Sequence, residues 1–247
     1  MRRYRVPIHG LPIAFEGFTI LHLSDLHDKD FGSAEKDLIN LFKQKKFDMV
    51  ALTGDLVTRD QIQLTPALEL ISGIQATSGR PVYSVSGNHD WHQGRGAQFN
   101  HRLQELGVKV LSNCSAAIER GSDRIWIIGV DDPVTHRDRL EQAISDTNNS
   151  ASRLLLAHSP QIFPRAVASG LDLVLAGHTH GGQIRLPFLG APFIPHMGYF
   201  PDLAYGIHTS GNTTMVVSGG LGESWFPIRF NMMPEVSLIT LEQMKQS

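Results

Sequence analysis

The sequence predicts an α/β fold, and three observations carry that expectation. Short apolar, β-prone runs alternate with amphipathic segments through the first part of the chain, which implies βαβ crossovers and an at least partly parallel sheet. The middle of the chain changes to short β segments around the turn Gly121-Ser122-Asp123, which suggests antiparallel hairpins and a second sheet. At 247 residues and 41% apolar composition, the chain is long enough to bury one sizeable core. With no internal repeat and no low-complexity linker, residues 1–247 are expected to form a single domain.

The amino terminus reads as a leading edge strand. Phe18 to Ser24 has the length of a buried strand, and Ala34 to Lys46 carries Leu38, Ile39, Leu41 and Phe42 among charges, as an amphipathic helix does. Asp48 to Thr53 is the next strand. A helix comes next over Thr65 to Ile74, with Pro66 in its first turn and small residues running to Gly79. Pro81 to Ser86 is a strand, and Ala97 to Leu106 a helix stopped by Gly107. Lys109 to Leu111, Ala116 to Glu119 and Arg124 to Val130 supply the hairpin region, and Arg137 to Ser145 is expected to be helical. Arg153 to Ala157 and Leu171 to Ala176 are buried strands, with a short helix over Gln161 to Ala168 between them. Ile184 to Tyr199, rich in Pro, Gly and aromatics without a period, is expected to be a long ordered loop. Thr214 to Ser218 and Glu235 to Leu241 are closing strands, separated by Gly219-Gly220-Leu221-Gly222 and Trp225-Phe226-Pro227-Ile228-Arg229-Phe230.

Composition narrows the function. A formal charge of −2 gives no global basic field, so a nucleic-acid partner is not expected. The lone Cys114 cannot close an intrachain disulfide, fits a reducing compartment, and is expected to be a small buried residue. No run reaches the ~20 apolar residues of a spanning helix. Arg2 and Arg3 form a twin-arginine pair, but the segment Val6 to Pro12 beyond them lacks a continuous apolar stretch and a small-residue cleavage site. The expected location is cytoplasmic. Arg2, Arg3 and Arg5 leave room for peripheral contact with an anionic membrane.

The chemistry lies at the strand tips. Asp25, His27, Asp55, Asn88, His158, His178 and His180 each stand just after an apolar β-like run. In a parallel-rich sheet, ligand-bearing residues gather at the carboxyl ends of the strands. His178 and His180 are two apart, so in a continuing strand their rings would share a face and converge on one point. Two carboxylates, one amide oxygen and four imidazoles exceed the needs of one divalent ion, which takes about four to six ligands. Two ions share them more naturally, with one carboxylate bridging at ~3.5 to 4 Å separation. His22, inside a strand, reads as a core histidine. His92, His136, His196 and His208 fall in loops, where His196 and His208 are candidates for lining a substrate pocket. Arg185 and Arg229 suit a phosphate fork or an ordinary surface ion pair. Ser24 and Ser159 have no recognisable triad partner.

Together Asp25-x-His27, Gly54-Asp55, Gly87-Asn88-His89-Asp90, His158 and Gly177-His178-x-His180 resemble the calcineurin-like metallophosphoesterases in order, spacing and strand context. Gly107-Val108-x-Val110-Leu111, Gly129-Val130-Asp131-Asp132-Pro133, Gly181-Gly182-Gln183 and the segments 220–222, 227–230 and 234–236 are similar to the small single-domain bacterial branch. The likeness thus covers residues 6 to 242. It implies a four-layer α/β sandwich of two mixed sheets flanked by helices. It further implies a first metal on Asp25, His27 and His180, a second on Asn88, His158 and His178, and Asp55 between them. In that pattern His89 faces the substrate phosphate and Asp90 supports it.

The cofactors implied are two divalent ions, Mn, Fe or Zn, whose bridging hydroxide would attack in line. The branch includes phosphodiesterases and UDP-2,3-diacylglucosamine pyrophosphatases. A phosphodiester or pyrophosphate, lipid-linked as in a UDP-diacyl sugar, is therefore the expected substrate. The wall Pro187 to Pro195 fits the lipid-linked case. The rivals are a phosphodiesterase of broad specificity on small soluble or cyclic substrates, a nuclease, and a scaffold of the same fold without catalysis.

Overall fold

The computed structural model describes residues 1–58, 64–223 and 228–244. Trp225, Phe226 and Pro227 of the aromatic motif lie outside the described residues.

Two six-stranded mixed sheets form the centre. The first is ordered β1 (Arg2–Ile8), β14 (Ser237–Gln243), β2 (Thr19–Leu23), β3 (Met49–Thr53), β4 (Val82–Val85), β5 (Lys109–Val110). Strands β2 to β5 are parallel, β14 runs antiparallel to β2, and β1 is the expected edge strand, parallel to β14. The second is ordered β12 (Gly206–Ser210), β13 (Thr213–Val217), β9 (Leu173–Ala176), β8 (Arg153–Leu156), β7 (Asp123–Gly129), β6 (Cys114–Arg120). Its central four strands are parallel and its two edge strands antiparallel.

Side-chain alternation decides which face meets what. Ile20, Met49, Ala51, Tyr83 and Val85 of the first sheet share one core with Ile127, Leu154, Leu156, Leu173, Leu175 and Val216 of the second. The residues between them point outwards. Leu21, Val50, Leu52 and Val82 pack under α1 (Ser33–Lys43), α2 (Thr65–Ser78) and α3 (Gly96–Glu105). Ile128, Leu155, Val174 and Met215 pack under α4 (Leu140–Ile144) and α5 (Phe163–Ala168). Strands buried on both faces must read as unbroken apolar runs, as 154–156 and 173–176 do. The result is the helix, sheet, sheet, helix layering that the family resemblance implied.

Four local expectations change. β5 joins the first sheet through Tyr83 and Ser84 instead of the hairpin region. The helix expected from Arg137 starts only at Leu140, because Asn113 and Asp132 fix the preceding residues in a turn: Asn113 accepts from Arg139 N and donates to Arg137 O, while Asp132 accepts from Thr135 N. The stretch 184–199 is a folded excursion, with β10 (Phe193–Ile194) antiparallel to β11 (Gly198–Tyr199) and a bridge between Leu186 and Gly190. Cys114 is exposed, because it starts an edge strand.

Leu156 is fully buried between the sheets and Ile13 is exposed. Leu156→Ala is expected to lower the unfolding free energy by about 2–5 kcal/mol in urea titrations. Ile13→Ala should change it by less than about 0.5 kcal/mol. Equal effects at the two positions would show that the inter-sheet core is misassigned.

Candidate metal centre

The parallel strands β2, β3, β4, β8 and β9 deliver Asp25, Asp55, Asn88, His158 and His178 just past their carboxyl ends. The loops then turn abruptly. Asp25, His27, Asp55, His178 and His180 all have positive φ, between 49° and 70°. Each such residue costs on the order of 1–3 kcal/mol and persists only where its surroundings over-determine it. Here cross-loop backbone bonds do so: Asp25 N donates to Gly54 O at 3.0 Å, His27 N to Asp55 O at 3.0 Å, and Gly222 N to Asp25 O at 2.7 Å. Two glycines make the approach possible. A Cβ on Gly87 would run into the Asp55 carboxylate, and one on Gly177 into Ser24 and Asp25.

This turn corrects one expectation. His178 and His180 do not continue the strand and do not converge on one point. His178 Nδ1 lies 3.1 Å from His158 Nε2, whereas His180 Nε2 lies 3.0 Å from His27 Nε2. The pair is divided between two of three donor groups, Asp25 with His27 and His180, and Asp55 with His158 and His178; the third, Asp55 with His27 and His89, contains neither. Asn88 joins the second cluster, its Oδ1 standing 3.1 Å from His158 Nε2. Asp55 Oδ2 is 3.1 Å from His158 Nε2 and 3.8 Å from His27 Nε2, so one carboxylate oxygen faces both clusters.

Tautomers and charge test whether these groups suit a cation. His158 Nδ1 lies 2.8 Å from Thr53 O, and a carbonyl only accepts, so Nδ1 carries the proton. Burial opposes protonation of this ring, but the Asp55 charge outweighs it and raises the ring's pKa well above the usual imidazole range. Nε2 therefore also holds a proton, which faces Asp55 Oδ2, Asn88 Oδ1 and His178 Nδ1, all acceptor-capable atoms. A single proton satisfies one of these contacts, whereas a multivalent cation satisfies them all. Electrostatics agrees. Burial lowers the pKa of His27 to about 4 and of His180 to about 3, and holds His178 well below the usual imidazole range. These rings are neutral near pH 7, with lone pairs free for a metal. Burial opposes ionisation of Asp55, but His158 beside it outweighs burial and keeps the carboxylate charged. Imidazole and carboxylate donors, buried and without a countercharge that serves them all, fit divalent transition-metal ions.

His89 stands at the rim. Its Nε2 is 4.0 Å from Asp55 Oδ2, its ring meets His27 edge-on at 4.7 Å, and about a fifth of its side chain is exposed. Asp90 does not hold that ring. Its Oδ2 accepts from Asp55 N at 2.9 Å and Gly87 N at 2.8 Å, and its Oδ1 from Leu56 N at 3.0 Å and Val57 N at 3.3 Å. Asp90 is therefore a cradle for the backbone of the loops that carry Asp55 and Asn88. Burial, and then the Asp55 charge, push its carboxyl up to about 7 against the pull of the amides. His89 Nδ1 is buried and has no hydrogen-bond partner among the described residues.

The other candidates take varied places. His22 is a core histidine bound to Thr53 Oγ1 at 2.8 Å. His196 comes to 5.9 Å from the His178 ring, whereas His208 faces Tyr205 O. Ser24 donates to Thr53 O and Ser159 accepts from Gln161 N, which leaves both as structural residues. Among the described residues Arg229 is held by backbone carbonyls and not by a surface ion pair: it donates to the carbonyls of Gly219, Gly220 and Gly222, and its Nη2 lies 3.4 Å from His180 Nδ1. The glycine loop it ties down packs directly behind Asp25, where a Cβ on Gly220 would crowd that side chain. In the sequence these residues stand only as a closing motif; three glycines in four positions are the signal of close backbone approach.

A family model described as calcineurin-like phosphoesterase matches residues 18–182. The chain is 32% identical over 239 residues to the uncharacterized metallophosphoesterase YkuE of Bacillus subtilis, covering 94% of this chain and 82% of that one. It is 32% identical over 233 residues to phosphodiesterase YaeI of Escherichia coli, covering 91% and 82%. Among solved structures, a dimetal phosphatase from Danio rerio shares the fold at a TM-score of 0.51 and 12% identity, covering 83% and 88%.

Asp90→Ala would strand four backbone amides, and it is expected to cost about 3 kcal/mol or more in denaturant titrations with chelator present. Asp90→Asn keeps one acceptor oxygen and should fall between that variant and the parent. An Asp90→Ala protein as stable as the parent would contradict the cradle.

Proposed function

Since the chain belongs to the calcineurin-like phosphoesterase family and is a metal-dependent phosphoesterase, we propose that it hydrolyses phosphodiesters or pyrophosphates at a centre of two divalent ions. The observation that carries this reading is Asp55 Oδ2, one buried oxygen set between two donor clusters. Asp25, His27 and His180 would hold one ion, Asn88, His158 and His178 the other, and Asp55 both. When bound, such ions supply Lewis acidity, which acidifies water and withdraws charge from the phosphoryl group. Mn, Fe and Zn all suit these donors.

The chain's own residues do the rest. The Thr53 carbonyl fixes the His158 ring with Nε2 turned inwards, and Asp25, accepting from His178 N at 3.0 and 3.1 Å, ties the second sheet's loop to the first's. This pre-organisation places the donors before substrate arrives, so little reorganisation is left for the reaction itself. His89, partly exposed at the rim with Nε2 towards Asp55, is the group that would meet the phosphoryl oxygens and hold a proton for the leaving oxygen. General acid catalysis of this kind is worth about 10² to 10⁴ in rate.

For the substrate, the apolar excursion favours a phosphoester with an apolar portion, such as a lipid-linked pyrophosphate. Phe188, Leu189, Phe193 and Tyr199 are exposed, and the excursion is tied to the metal loop by Arg185, which donates to Gly181 O at 3.0 Å. A soluble phosphodiester is the alternative substrate.

The test is His89→Ala, assayed on bis-p-nitrophenyl phosphate with manganese and analysed for metal. kcat is expected to fall about 10² to 10⁴-fold, with metal per chain unchanged. Loss of metal from this variant would place His89 among the ligands and remove its proposed role.

A further inference from the structure

Exposed large apolar side chains are unevenly distributed in this protein. Of the thirteen large apolar side chains exposed among the described residues, ten lie between positions 186 and 233, and the other three are Met1, Ile13 and Met244. Large exposed apolar groups gathered in one region mark an interaction surface, where single scattered ones would not.

These segments are joined in space. Arg185 N donates to Phe230 O, Asn231 Nδ2 to Arg185 O, and the rings of Phe193 and Tyr199 lie 5.2 Å apart. Phe188, Leu189 and Phe200 line one cavity of about 300 Å³ together with Arg185 and Tyr205. Arg185, which donates to Gly181 O, ties the region to the loop that carries His178 and His180.

Its most prominent part is a tight hairpin. Leu186 N donates to Gly190 O at 2.8 Å and Gly190 N to Leu186 O at 3.0 Å, which leaves Pro187, Phe188 and Leu189 at the tip. Phe188 is fully exposed. A narrow projection of this shape would leave a flat protein partner poorly packed around it, but a fluid acyl region closes around any shape. Its flanking amides are paired to one another, so entering an apolar phase costs less than it would for an open loop.

Charge completes the pattern. The chain carries no Asp or Glu between Asp172 and Asp202, nor from Ile228 to Pro234, while Arg185 stands at the base of the hairpin. Arg2 reaches the same end: its guanidinium lies over the Tyr205 ring on which Arg185 also stacks, and Arg2 Nη1 donates to Tyr205 OH at 2.7 Å. Two acidic groups stand at this end: Asp202 lines the cavity, and buried Glu235 accepts from Tyr205 OH behind it. Tyr199 is an aromatic of the kind that settles at the headgroup level.

We propose that the hairpin Arg185–Gly190, with the aromatic excursion behind it, docks this protein on the surface of an anionic lipid bilayer, with Phe188 and Leu189 entering the acyl boundary and Arg185 and Arg2 at the headgroups. The inference rests on the exposed rim and holds whether or not the two-ion reading of the centre is right. No helix among the described residues is long and apolar enough to cross a membrane.

The test is co-sedimentation of the full chain with vesicles of phosphatidylcholine alone and of equimolar phosphatidylcholine and phosphatidylglycerol. The parent is expected to partition onto the anionic vesicles, less so at high salt. Phe188→Ser combined with Leu189→Ser should weaken that partitioning by roughly tenfold or more. Ile13→Ser, an exposed apolar position at the opposite end of the sheet, should leave it unchanged. The circular dichroism spectrum and the urea midpoint should be the same in all three proteins, which reports that the variants are folded. Binding to neither vesicle, or binding that the tip variant does not weaken, overturns the proposal. So does velocity sedimentation that finds a dimer in the parent and a monomer in the tip variant, since the face would then be covered by a second copy of this chain.

Discussion

One oxygen atom, Asp55 Oδ2, sets the terms for the rest of the structure. It is buried at the seam where the two sheets' loops meet, within 4 Å of imidazole nitrogens from two separate clusters. A carboxylate there is costly unless positive charge compensates it, and the nearest rings are held neutral by their own burial, apart from His158. On the proposed two-ion reading, cations would compensate the set as a whole, and much of the surrounding architecture holds these donors close together.

The restraint comes from behind. Thr53 O, at the end of a strand in the first sheet, orients His158 of the second, and Asp25 of the first accepts from the backbone of His178 of the second. Asp90 gathers four amides, and the Gly219–Gly222 loop, pinned by Arg229, backs Asp25. The positive φ values at five of the donor residues are the strain that these bonds sustain. A shared apolar core between the sheets gives both sets of loops a common rigid base, so the donors inherit the precision of the strands.

The layers and the strand tips were legible in the sequence because burial on both faces forces unbroken apolar runs, and runs such as 154–156 and 173–176 have few other readings. What local pattern could not show was direction after the strand ended. His-x-His at positions 178 and 180 suggests a shared face only if the strand continues; the left-handed turn that separates the rings is selected by tertiary bonds. Asp90 was legible as important, but not for what it does, since four amides from two loops meet only in three dimensions. The strand at 206–210 carries little local signature, because an exposed edge strand of Ile, His, Thr and Ser has no apolar face, although the Gly211-Asn212 turn beside it is a hairpin signal. Cys114 was misplaced for a related reason: residue type predicts burial on average, and an edge position overrides it.

The central claim is that one carboxylate oxygen is shared by two cations. Anomalous diffraction from crystals of the manganese-loaded protein tests it most directly. The structure predicts two peaks, one beside Asp25, His27 and His180 and the other beside Asn88, His158 and His178, with Asp55 Oδ2 between them. A single peak, or peaks that Asp55 does not touch, would contradict it.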